Sequence, residues 1–114
     1  MAEPQVVSFD EIGKTSTGRS RRFLGERHGS SVSFFIVDGR EGDGPGPHTH
    51  PYDETFVVLE GSATFTVDGR DVEAGAGTVV VVPAGAVHGF TIGAGGRRSV
   101  NIHPRPRMEQ TDLP

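Results

Sequence analysis

Glycine and proline interrupt this chain so often that no long helix can form in it. Seventeen Gly and eight Pro stand in 114 residues. The runs between them are short and apolar, which predicts β-strands. Residues 31–37 (SVSFFIV) are rich in β-branched and aromatic side chains and read as a strand. Further strands are expected at 55–59, broken by Gly61, then at 63–67, 70–73, 78–82, 87–92 and 99–102, with 93–96 a loop. Asp68-Gly69 between apolar runs is the strongest short-range hairpin signal in the chain. Residues 41–47 (EGDGPGP) are too broken by Gly and Pro to be helical. The run TVVVV at 78–82 is continuously apolar, as expected of a strand covered on both faces. Eight or more short strands argue for an all-β sandwich or barrel in one domain. Residues 1–30 read as an N-terminal arm or edge strands, with 5–9 a candidate strand and 19–29 another with a loose turn. Residues 31–103 are expected to form that β domain. Residues 104–114 are a tail expected to be irregular.

Charge and composition exclude several functions. Eleven Lys and Arg against fifteen Asp and Glu leave a formal net charge of −4, which disfavours a nucleic-acid partner. The short basic groups Arg19, Arg21, Arg22 and Arg97, Arg98 read as solvated surface. With no Cys, the chain has no disulfide, thiolate ligand or Cys nucleophile. No apolar run approaches membrane-spanning length. The N-terminal residues are acidic and lack an apolar signal core, so a cytoplasmic location is expected.

The chemistry-bearing residues fall among these strands. His48 and His50 are two apart, so on a strand they share a face. Glu54 has the same parity, although Pro51 turns the chain between them. His88, Phe90 and Ile92 alternate onto one face of their strand. If that face turns inward, His88 is surrounded by an apolar pocket wall of Phe90 and Ile92, which Phe56, Val58 and Phe65 extend by the same alternation. A His-x-His pair alone is usually surface. With Glu54 and His88 it makes a set of three imidazoles and a carboxylate, suited to one divalent transition metal ion: Fe, Mn, Ni, Cu or Zn. Four protein ligands leave one or two positions for water or substrate, as a working metal requires. Glu54 could double as a base, since a carboxylate can leave the metal and take a proton. Asp53 reads as an exposed turn residue, Tyr52 could reach the pocket mouth, and His28 is expected at the surface. His103, after the last strand, reads as a surface histidine in preference to a base at the barrel mouth.

Two fragments of the chain resemble the motifs of the cupin superfamily. Gly42, His48, His50, Glu54 and Gly61 match every position of the first, and Gly77, Pro83, Gly85 and His88 match the second. Ile92 stands where the second motif has Asn, and Gly75-Ala76 where many relatives have Gly-Asp. The resemblance covers residues 31–103. It implies a small conserved β-barrel of jelly-roll type with a metal inside, ligated by His48, His50, Glu54 and His88, in a protein that commonly forms a homodimer. The function it suggests is a metal-dependent enzyme acting on a small organic molecule, of dioxygenase or isomerase/cyclase type. The alternatives are a non-catalytic small-molecule-binding module and a scaffold. Metal-dependent turnover supports the enzyme, and ligand-induced stabilisation without turnover supports the binding module.

Overall fold

A computed structural model describes residues 3–114. The first two residues of the expected N-terminal arm lie outside the described residues. Nine strands form among the described residues: β1 (Gly13–Lys14), β2 (Arg21–Phe23), β3 (Ser33–Gly39), β4 (His48–Thr49), β5 (Glu54–Val67), β6 (Arg70–Gly75), β7 (Thr78–Val82), β8 (His88–His103) and β9 (Thr111–Asp112). The only helical pieces among the described residues are two 3-10 turns, Phe9–Glu11 and Gly25–Arg27. No helix of the described residues is long and apolar enough to cross a membrane.

Two long strands build the barrel. The first half of β5 pairs with β7 and with the second half of β8, and that half of β8 also pairs with β3, which continues to β2 and β1. The second half of β5 pairs with β6 and with the first half of β8, while His88 of β8 pairs with His48 of β4, and β4 with β9. Thus β5 and β8 belong to both layers and bend between them. The expected strand break at Gly61 and the expected loop at 93–96 are therefore not there. Glycine lets the ladder bend without ending it. Gly61 takes φ +77°, and the β5–β8 register shifts on either side of it. A Cβ at Gly61 would collide with the Gly96 carbonyl.

The Asp68-Gly69 hairpin forms as expected, with positive φ at both residues (48° and 80°), as a type I′ turn requires. The candidate strand at 5–9 does not form; the chain there is irregular and then makes the 3-10 turn. The tail is not wholly irregular, because β9 pairs with β4. TVVVV forms β7 as expected, but it is not covered on both faces. It is an edge strand paired with β5, and Val79 and Val81 are 60% and 57% exposed.

Inside the barrel, Phe56, Ala63, Phe65, Ala74, Val82 and Ala86 form the packed core, with Val67, Val80 and Phe90 against it. Phe56 meets Phe65 edge to face at 4.9 Å between ring centroids. This packed end supports an open end, where the histidines lie.

Candidate metal centre

Short pairing and strand ends bring the polar residues together. His48 lies opposite His88 across the β4–β8 ladder, with ring centroids 4.3 Å apart. His50 follows directly on β4, and Glu54 opens β5 after the bend at Pro51. All four are buried, between 2% and 4% exposed, and each offers a ligand atom within 4.8 Å of the others. The carboxylate Oε1 of Glu54 is 3.0 Å from His50 Nε2 and 3.3 Å from His88 Nε2.

The other ring nitrogens decide what these imidazoles present. His48 Nδ1 lies 2.8 Å from the Gly46 carbonyl, His88 Nδ1 2.9 Å from that of Ala86, and His50 Nδ1 2.6 Å from that of Glu109. A carbonyl only accepts, so each Nδ1 carries the proton and each neutral ring presents the Nε2 lone pair inward. Two of those lone pairs face a carboxylate oxygen, and His50 Nε2 has no aligned hydrogen-bond partner. Lone pairs converging on an anion repel unless a proton or a cation lies among them. The donor set and its tautomers therefore fit a divalent ion of the imidazole-binding kind.

Protonation in the metal-free site follows the same logic. Burial opposes the Glu54 charge, but when the Nε2 atoms of His103, His50 and His88 that face it carry protons they outweigh burial and hold its pKa well below the usual carboxylate range. Burial also opposes a charge on His50, yet Glu54 and the Glu109 carbonyl raise its pKa above the ordinary imidazole value. His48 is lowered, chiefly by burial. With its pKa so depressed, Glu54 is a weak proton acceptor where it stands.

His103 is not at the surface. It is 2% exposed, its Nε2 is 3.2 Å from Glu54 Oε2, and its Nδ1 is 2.6 Å from the Tyr52 hydroxyl. In residues 99–103 (SVNIH) the apolar pair Val100 and Ile102 would ordinarily point to the core. Instead Ser99, Asn101 and His103 are buried and Val100 and Ile102 lie on the outer face. The signal that could have placed His103 is its parity with Asn101 in a strand whose inner side is polar. Tyr52 is buried beside it, Asp53 is exposed as expected, and His28 is half-buried, stacked on Phe23 at 4.8 Å.

A cavity of about 600 Å³ opens beside the cluster, with His48, His50, Glu54 and His103 on its wall. Phe35, Val37, Phe90 and Ile92 give it an apolar side, and Asn101 and Gln110 supply polar groups. Thr15, Thr17 and Ser20 of the N-terminal arm complete the wall, and Arg19 latches that arm to Asp43 at 2.7 Å. Of the five residues expected to line the pocket, Phe90 and Ile92 do so. Phe56, Val58 and Phe65 point inward but do not line the cavity. Phe56 and Phe65 pack in the core. Alternation predicts the face and not the depth.

Arg97, read from the sequence as surface, is buried. Its guanidinium lies 4.1 Å from the Phe90 ring centroid and 5.5 Å from that of Phe65, and none of its three nitrogens has a hydrogen-bond partner. Burial pulls its pKa down to about 10, against the opposing pull of Glu54.

Residues 34–98 match the family model described as the cupin domain. The chain is 32% identical over 95 residues to a quercetin 2,3-dioxygenase from Bacillus subtilis, covering 80% of this chain and 28% of the dioxygenase. It thus spans under a third of that relative's length. Its fold is similar to that of an oxalate decarboxylase from Lactobacillus farciminis (TM-score 0.79, 19% identity, 91% of this chain and 34% of that one). It is also similar to the polyketide cyclase RemF from Streptomyces resistomycificus (TM-score 0.69, 24% identity, 98% of this chain and 88% of that one).

Proposed function

Because this chain belongs to the cupin family, we propose that it is a metal-dependent enzyme acting on a small organic molecule, by dioxygenase or isomerase/cyclase chemistry. The observation that carries this reading is the array of three Nδ1-protonated imidazoles whose Nε2 atoms converge with Glu54. His48, His50, Glu54 and His88 would hold the ion. When bound, such an ion would polarise a substrate oxygen as a Lewis acid or, if redox-active, support oxygen chemistry.

The chain's own residues supply the rest. Phe35, Val37, Phe90 and Ile92 favour an apolar body and keep water from it. Asn101 and Gln110 can hydrogen-bond substituents on that body. Glu54, tied to the imidazoles, is better placed to hold charge than to take a proton. The similarity to a dioxygenase and to a polyketide cyclase supports both branches of the chemistry without choosing between them.

Metal content of the untagged protein by mass spectrometry, with His50→Ala as control, tests the reading. Near-stoichiometric Fe, Mn, Ni, Cu or Zn that the variant loses supports it and directs the substrate screen. No metal after reconstitution sinks it and leaves the binding module or scaffold. Metal with ligand-induced stabilisation but no turnover retains the centre and removes the enzyme.

A homodimer is part of the same reading. Phe23, Phe34, Ile36, Val57, Val79, Val81, Val100 and Ile102 share the outer face of the layer formed by β2, β3, β8, β5 and β7. An apolar face of that breadth favours a partner surface, and a second copy presents the same face.

A further inference from the structure

We propose that the C-terminal tail is a positioning element of the metal centre, acting through Glu109, Tyr52 and His103 to fix the ring of His50 and to present Glu54 through a single oxygen. This rests on the metal-binding reading of the site.

The three imidazole–carbonyl contacts are not equivalent. His48 and His88 each reach a carbonyl two residues earlier in the chain, so their own strands set their tautomers. His50 reaches Glu109, 59 residues away. Without the tail, nothing local holds the proton of His50 on Nδ1. The ring would then share its population with the opposite tautomer, whose Nε2 carries a proton and cannot bind a metal.

The backbone of Glu109 also acts on a second ligand, Glu54, through Tyr52 and His103. Its N–H donates to the Tyr52 oxygen at 3.1 Å. The Tyr52 hydroxyl proton has two acceptors in reach, the Glu109 carbonyl at 3.3 Å and His103 Nδ1 at 2.6 Å, and the shorter contact favours His103. With that donation His103 carries its proton on Nε2, 3.2 Å from Glu54 Oε2, a close electrostatic contact and not an aligned hydrogen bond. That contact engages Oε2. The remaining oxygen, Oε1, is the one facing His50 and His88. A carboxylate drawn to His103 through Oε2 would offer Oε1 to an ion.

The tail is built to stay in place. β9 pairs with β4, the strand that carries His48. Leu113 N–H donates to the Pro47 carbonyl at 3.0 Å, and Glu26 N–H to the Pro106 carbonyl at 2.9 Å. Arg107 pairs with Glu26 at 3.1 Å, and the Arg105 guanidinium lies 5.1 Å from the Tyr52 ring centroid. Partners of ligating side chains typically change metal affinity about 10–100-fold when removed.

The test compares the full chain with two variants, deletion of residues 108–114 and Tyr52→Phe, each checked for folding by circular dichroism. Long-range nitrogen–proton NMR on metal-free protein, at an alkaline pH where the imidazoles are neutral, reads the histidine tautomers. Mn(II) titration with EPR reads affinity and coordination. In the deletion, His50 loses its single Nδ1–H tautomer while His48 and His88 keep theirs, and Mn(II) affinity falls about 10–100-fold. Tyr52→Phe leaves His50 unchanged, alters the His103 tautomer signal and changes the Mn(II) spectrum. If the deletion unfolds the chain, Tyr52→Phe carries the test through those two spectra. Tautomers and Mn(II) spectra unchanged in the variants overturn the inference and leave the metal reading standing. A full chain that takes up no Mn(II) overturns both.

Discussion

His50 carries two predictions at the scale of one residue. His50→Ala removes a ligand from the open end while the packed core around Phe56 and Phe65 is untouched. The expected outcome is loss of bound metal with an unchanged β-type circular dichroism spectrum; an unfolded variant would mean the metal is structural. The second concerns pH. The His50 pKa is raised, so in metal-free protein the ring keeps its proton above the ordinary 6.5. A metal must displace that proton. Affinity for Mn(II) therefore climbs as pH rises from about 6 to about 8, and a flat profile over that window would mean that no proton leaves His50. Arg97 is a different case, a buried cation between two rings with no hydrogen-bond partner. Burial lowers its pKa to about 10, below the ordinary guanidinium value, so the folded state is penalised below about pH 10 and relieved as pH rises beyond it. At neutral pH the penalty is on the order of 3 kcal/mol. Arg97→Met, which keeps much of the volume and removes the charge, is expected to raise the urea midpoint; a lower midpoint would mean the ring contacts outweigh the desolvation.

At the scale of elements, the sequence shows where strands are and misreads how they join. The hairpin at Asp68-Gly69 and the strand TVVVV are legible because turn chemistry and apolar runs act locally. β5 and β8 are not, because a glycine that ends a strand and a glycine that bends one look alike in sequence. Only the pairing of Gly61 with Arg97, next to Gly96, separates the two cases. The His/Glu cluster is legible in part for a related reason: His48, His50 and Glu54 lie within one short stretch, while His88, 34 residues from Glu54, is joined to them in sequence only by the resemblance to the second motif. Tyr52, His103 and Glu109 are not, since their contacts span 51 and 57 residues. Gly61→Val tests the bend. A β-branched residue at φ +77° costs roughly 1–2 kcal/mol, and its Cβ also meets the Gly96 carbonyl. A total loss of about 3 kcal/mol in urea unfolding is expected. An unchanged midpoint would show that the two strands can part at that point without cost.

For the whole molecule, the informative fact is that the second half of β8 has its polarity reversed. Ser99, Asn101 and His103 face the interior beside Ser33 of β3, while Val100 and Ile102 face out with Phe34 and Ile36. A polar interior is what a ligand-holding cavity needs, and it forces the alternating apolar residues of the same strands onto the outer surface. Function inside thus creates a hydrophobic face outside, and that face favours a cover. Val79 and Val81, at its exposed edge, are the positions where a charge would oppose a second copy most and disturb the barrel least. Wild-type protein is expected to scatter light at about twice the single-chain 12.1 kDa. Val79→Lys combined with Val81→Lys is expected to return it to 12.1 kDa. The clustered ligands all come from one chain, so this monomer should still bind metal. Loss of metal together with the dimer would mean that association shapes the centre, and a wild-type mass of 12.1 kDa would remove the homodimer.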